Sequence, residues 1–193
     1  MSAIKQPHTK GFTLVELMMA LAVMTVLLVV AVPSLRDAVR RHRVAAASNA
    51  LLADLAYARS EAIFSASVAS ICPSSRDRKK CDPANAYEHG WLVHLGLAGA
   101  NGAIPSIRPL WLPLRVGSSR DGVAISAQER NLSFDAQGQL HASIKKPPRF
   151  TVCFRSSGSG AGTSTGAVPG VELTVNASGR VASRKMRAEE ACL

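Results

Sequence analysis

Acidic residues are scarce in this chain: 13 Asp and Glu stand against 23 Lys and Arg over 193 residues, for a formal charge of +10. That balance argues for acidic partners such as nucleic acid or anionic surfaces, although basicity by itself also serves solubility. C-x-x-C spacing is missing from the four cysteines, Cys72, Cys81, Cys153 and Cys192, which removes the usual zinc and thiol-redox motifs. The last histidine is His141, so Gly162-Thr163-Ser164-Thr165-Gly166, which fits the G-x-S-x-G pattern, does not meet the Ser, acid, His order of an esterase. His89 and His94 lack a nearby cysteine or carboxylate pair and are expected to be ordinary surface or sheet histidines. No catalytic residue, cofactor or metal is expected, and the length leaves little room for two full domains.

What the chain does have is one long apolar block. Residues 12–32 carry Glu16 as the only charge and as a helix reach about 31 Å, enough to cross a bilayer core. A cleaved secretory signal ending at Val29 and Ala31 is the rival reading. The run is too long for that, Glu16 sits near its start, and Pro33 crowds the cut. All four cysteines lie beyond the block, so disulfides, and an oxidising compartment for this part, are expected. Of the three possible pairings, Cys72 with Cys81 and Cys153 with Cys192 is favoured because the first closes a short polar loop.

Glycine and proline are absent from Ser34 to Ile71. Leu51, Leu55, Ala58 and Ala62 recur at helical spacing on one face and Arg36, Arg40 and Arg43 on another, so the helix is expected to continue and to end near Phe64 to Ser67. Pro33 should kink or loosen it. From Val68 the period shifts to two, and strands are expected at 68–72, 90–95, 109–114, 122–126, 131–135, 150–155, 171–176 and 180–184. Asp135 to Gly138 and Asn176 to Gly179 read as hairpin turns ending on glycine. The Gly, Ser and Thr tract Ser156 to Gly166 reads as a flexible surface loop. The fold class is α+β: a long N-terminal helix, membrane-spanning in its first half, then a mainly antiparallel β-sandwich-like domain.

Lys10-Gly11-Phe12-Thr13-Leu14-Val15-Glu16-Leu17 resembles the class III signal of type IV prepilins. The resemblance implies that a prepilin peptidase cuts after Gly11 and methylates the new amino terminus at Phe12, and that Glu16 serves assembly by meeting the N-terminal amine of another subunit. Independently, an intramembrane carboxylate is costly without a partner and marks a functional contact. The divisions are then 1–11 as leader, 12–32 as membrane and filament-core helix, 33–67 as its amphipathic continuation and 68–193 as the globular domain. Asn49 to Ile63, with Leu51-Leu52-Ala53-Asp54-Leu55 and Ala58-Arg59-Ser60-Glu61-Ala62, resembles the helix segment of the GspH/FimT branch of pilin-like proteins, and Cys72-Pro73 and Gly90-Trp91-Leu92-Val93 continue it. This implies a minor pilin of a type IV pilus, or a pseudopilin of a type II secretion system, held in the inner membrane with its C-terminal domain in the periplasm before it joins other subunits at the cell surface. The positive-inside rule points the other way, with Lys5 and Lys10 before the span against Arg36, Arg40, Arg41 and Arg43 after it. The targeting signal and the cysteines outweigh that count.

The last third holds Lys145, Lys146, Arg149, Arg155, Arg180, Arg184, Lys185 and Arg187 against Glu172, Glu189 and Glu190. If 180–184 is a strand, Arg180 and Arg184 project from one face about 13 Å apart. Lys145, Lys146, Arg149, Arg180, Arg184, Lys185 and Arg187 are therefore the candidate contacts to double-stranded DNA. Some FimT-like pilins that bind DNA carry a Gly-Arg-x-Arg element here, and Gly179-Arg180-Val181-Ala182 departs from it, with the second arginine displaced to Arg184.

Overall fold

The structure, a computed structural model, describes residues 11–83, 87, 89–96, 113–141, 146–156 and 160–192. The strand expected at 109–114 falls mostly outside them, as does Lys145. Two compact units divide the chain, Met1–Asp37 and Ala38–Leu193.

Helix α1 (Leu14–Phe64) opens on a side-chain cap: the Glu16 N–H donates to Thr13 Oγ1 at 3.2 Å. Thr13 and Glu16 have the S/T-x-x-E spacing of a capping box, which satisfies donors that the first turn leaves unpaired. Pro33 lies inside the helix, which continues through it. At the other end Ser67 N–H returns to Ala62 O at 3.1 Å and Ala66 N–H to Ile63 O at 3.3 Å, with Ala66 in the left-handed region at φ 46°. This pair of bonds is a Schellman stop, made here on alanine where glycine is the common choice.

In the first unit the helix is apolar all round, and Leu14, Val15, Leu17, Met18, Leu21, Val26 and Leu27 are exposed. A helix of that composition needs an apolar surrounding from outside the chain. In the second unit the pattern is amphipathic, and Val44, Ala47, Leu51, Leu55, Ala58 and Ala62 are buried along one face. The alanines let the sheets approach closely.

Eight strands follow: β1 (Ala69–Pro73), β2 (Trp91–Leu95), β3 (Arg115–Gly117), β4 (Val123–Ala127), β5 (Leu132–Phe134), β6 (Arg149–Phe154), β7 (Val171–Val175) and β8 (Val181–Lys185). They form two antiparallel sheets of order β3-β2-β1-β5 and β4-β6-β7-β8. One core joins the helix face to the inner residues of both sheets, with Ile71, Trp91, Val93, Leu132 and Phe134 from the first and Ile125, Phe150, Val152, Leu173 and Val175 from the second. Part of each outer face is covered as well. On the first sheet Cys72 and Leu92 lie under Cys81, and on the second Cys153 lies under Met186 and Cys192.

Both expected hairpin turns form. Gly138 N–H donates to Asp135 O and Gly179 N–H to Asn176 O, each at 2.9 Å, with the two glycines at φ 72° and 76°. Two expectations need correction. Pro113 and Leu114 stand before β3 and not in a strand, because proline has no N–H for the ladder and pairing with β2 starts as Leu114 N–H reaches Val93 O at 2.8 Å. The tract from Gly160 to Gly166 lies mostly at the surface, as expected, but it is anchored and not loose: Thr163 bridges Phe154, and Ser164 is buried, donating to Arg187 O at 2.8 Å and accepting from Gly170 N–H at 3.0 Å.

Candidate functional site: the capped head and the cationic surfaces

The head of the chain presents Gly11, Phe12 and Thr13 outside regular structure, just before the first helical turn. Phe12 is 86% exposed. Thr13 fixes where the helix begins, so the peptide bond after Gly11 stays outside it, while Glu16 stands exposed in the first turn of an apolar helix. A carboxylate so placed has no partner of its own chain that would neutralise it among the described residues.

Beyond the span, arginines hold the helix to its own domain. Arg40 stacks over the Phe154 ring at 4.7 Å and Arg41 Nη1 donates to Ala167 O at 2.9 Å. Part of the positive charge that the inside rule counts is thus structural. Arg59 does the same further along. Its Nε donates to Gly138 O at 2.8 Å, and the two hairpin turns close over it so tightly that a Cβ on Gly179 would overlap Gly138 O and approach Arg59 Nε. Leu52, Arg59, Ile63, Gly179 and Arg180 line a cavity of about 380 Å³ at this junction.

The four cysteines form two bridges, Cys72–Cys81 and Cys153–Cys192, with sequence separations of 9 and 39. His94 Nε2 lies 3.7 Å from Cys81 Sγ and Nδ1 3.1 Å from Leu95 O. Burial pushes the His94 pKa below its usual value, so the ring is neutral. The two sulfurs and this nitrogen lie within 4.8 Å of one another, but sulfurs bonded to each other are not thiolates and do not form a zinc site.

The structure corrects the reading of the basic tail. Arg180 is not in the strand: its N–H donates to Asn176 Oδ1 at 2.9 Å and its carbonyl closes the turn before β8. Arg184 is directly opposite Glu172 in the ladder and binds it through Nε at 2.8 Å and Nη2 at 3.1 Å, and it also grips Glu190. These two carboxylates raise the Arg184 pKa, and Arg184 in turn holds Glu190 at about 2. Arg184 therefore ties the tail to the second sheet through two carboxylates. Lys146, Arg149, Lys185 and Arg187 are exposed on separate elements. Register decides these pairings, and no signal in the sequence could have found them.

An apolar helix with a capped, exposed head, followed by two antiparallel sheets sharing one core with that helix, defines a pilin-like subunit. Residues 7–32 match the prokaryotic N-terminal methylation motif. Residues 47–182 match the family of the type II transport protein GspH. No curated protein sequence matches the chain. Among solved structures it is similar to two crystal forms of the type IV minor pilin FimU of Pseudomonas aeruginosa strain PAO1. The first has a TM-score of 0.54 and 22% identity over 79% of this chain and 97% of that one, the second 0.52 and 22% over 77% and 98%. The minor pseudopilin EpsH from the type 2 secretion system of Vibrio cholerae follows with a TM-score of 0.45 and 9% identity over 74% and 97%. The chain belongs to the family of the type II transport protein GspH.

Proposed function

We propose that the chain is a precursor that prepilin peptidase cuts after Gly11 and methylates at Phe12, and that the mature subunit serves as a minor pilin in a type IV pilus. The observation that carries this is the helix cap. Thr13 starts the helix two residues after the cut, which leaves Phe12 exposed and sets Glu16 in the first turn as the only acid of residues 12–32. Before assembly residues 12–32 sit in the inner membrane with the domain from 68 onward in the periplasm, where both disulfides are stable. On assembly the carboxylate of Glu16 meets the amine of a neighbouring subunit, which relieves the cost of holding a charge in an apolar surrounding. The likeness to FimU supports the pilus, and the GspH family name supports the alternative, a pseudopilin of a type II secretion system. DNA contact through the tail has less support, because its central residue Arg184 is committed to Glu172 and Glu190. The proposal does not include it.

Mass spectrometry of the mature chain tests the processing: an N-methylated Phe12 is expected, and a chain starting at Val32 or Pro33 overturns it. Glu16→Gln should insert into the membrane normally yet be depleted from sheared pili. Deletion of the gene separates the two machines, since loss of pili with secretion intact supports the pilus and the reverse supports the pseudopilin.

A further inference from the structure

Between the ends of the first bridge the chain reads Pro73-Ser74-Ser75-Arg76-Asp77-Arg78-Lys79-Lys80. This segment is a framed loop. Ser75 N–H donates to Lys80 O at 3.0 Å, Arg78 N–H to Ser75 O at 2.9 Å and Asp82 N–H to Pro73 O at 2.8 Å, while Ser74 bridges Cys81. Its one acid turns back into that frame: Asp77 accepts from Ser75 Oγ and from Lys79 N–H at 3.2 Å. Those two bonds, with the nearby Lys80 and Lys79, hold its carboxyl below the usual range. Arg76, Arg78, Lys79 and Lys80 are all exposed, and Arg76 Nε reaches His89 Nε2 at 3.4 Å. Arg78 adopts φ 56°, in the left-handed region where glycine or asparagine is favoured.

We propose that this disulfide-closed loop is a contact site for the phosphodiester backbone of nucleic acid, with Arg76, Arg78, Lys79 and Lys80 each neutralising a phosphate. Four cations in five residues on a fixed frame match an array of like charges better than a single small anion, which needs a concave site. The loop residues line neither the cavity beside Arg59 nor the one of about 220 Å³ beside Arg149 and Glu190. Residues 76–80 include no apolar side chain to insert into a bilayer, so a hold on a lipid surface would be electrostatic alone, and the vesicle arm of the test below separates it from a hold on nucleic acid. Asp82 is the nearest further acid, so the loop keeps a cationic excess. Among the described residues Arg76 reaches His89, and no side-chain bond ties Arg78, Lys79 or Lys80 to the rest of the domain. The inference holds whether the subunit serves a pilus or a secretion machine.

The test is fluorescence anisotropy of the full-length chain in a non-ionic detergent with a labelled DNA duplex, titrated between about 50 and 200 mM salt. Replacing Arg76, Arg78, Lys79 and Lys80 together by Gln should flatten the slope of log affinity against log salt by about 3 to 4. A variant of equal charge loss, with Gln at Lys146, Arg149, Lys185 and Arg187, should change it by less than about 1. Arg78→Gly is the control for folding: glycine suits the backbone there, so thermal stability should hold or rise while affinity falls several-fold. Absence of duplex binding by the wild type, equal losses from both quadruple variants, or unchanged affinity of Arg78→Gly would each overturn the site. So would capture of phosphatidylglycerol vesicles in preference to duplex.

Discussion

Asp54 accepts the indole N–H of Trp91 at 2.7 Å across 37 residues of sequence, joining the helix to the middle of the first sheet inside the core. Its other oxygen takes the Arg115 guanidinium from β3 at 2.8 Å, and that guanidinium also lies 5.2 Å from the Tyr57 ring centroid. The indole in turn packs on Gly117, where any Cβ would run into it. Helix, β2 and β3 are thus latched at one buried carboxylate.

Asp54→Ala leaves the buried indole donor without its acceptor and should cost about 1–3 kcal/mol. Asp54→Asn keeps an acceptor for Trp91 and loses only the half-exposed ion pair, so it should cost less than about 1 kcal/mol. Arg115→Ala removes the same pair and the ring contact, for about 1 kcal/mol. Urea denaturation of the three variants reads the order directly, and equal costs for Ala and Asn at position 54 would remove the indole bond as the reason.

Asp54 and Trp91 were legible as parts of a family pattern, but not as a pair. The buried helix face was readable because 3.6-residue spacing is local, and the two hairpin turns because a glycine ending a short polar turn has few other uses. Strand ends shifted by a residue, since the terminal pairing depends on the partner strand. The reading failed where register enters. Arg184 opposes Glu172 only in the observed alignment of β7 and β8, and Glu190 arrives only because the Cys153–Cys192 bridge carries the tail across the sheet. Ser164 is buried for the same reason, its acceptor being a carbonyl of that tail. Composition made the tract look loose because it cannot show distant anchoring.

The two turn glycines differ in what surrounds them. Gly179→Ala places a methyl against the carbonyl of Gly138 at a positive φ, and backbone cannot yield cheaply, so a loss of about 2–3 kcal/mol is expected. Gly138→Ala meets the tip of the Ile63 side chain, which can move, and should lose closer to 1 kcal/mol. Denaturant midpoints would show whether the order holds.

The two disulfides close loops of unequal length. With separations of 39 and 9, the chain-entropy estimate gives about 4 kcal/mol for Cys153–Cys192 and about 2.6 kcal/mol for Cys72–Cys81. Paired serine variants, compared by thermal unfolding, should therefore rank with the tail bridge first. The tail variant should also free Glu190, so that substituting Arg184 afterwards costs less than it does in the intact protein.

The last prediction concerns pH. Burial lowers the His94 pKa in the folded state, so the ring stays neutral there while the unfolded chain takes up a proton near pH 6.5. Below that value the unfolded state binds more protons, and the stability from this group, fully present above pH 6.5, is lost as pH falls towards the folded pKa. The groups around the ring do not reverse this: Cys81 is in a disulfide and does not titrate, Ser70 is opposite it in the ladder, and the Leu95 carbonyl is a neutral acceptor. Glu190 and Asp77 have lowered pKa values too, but they protonate only below the ordinary carboxylate range, so their effect lies in a separate, more acidic window. Melting temperature should accordingly fall in two steps, the first setting in as pH drops below about 6.5. His94→Gln should lower stability at neutral pH yet abolish that first step, leaving the second. A first step that persists in His94→Gln would assign the loss to another group.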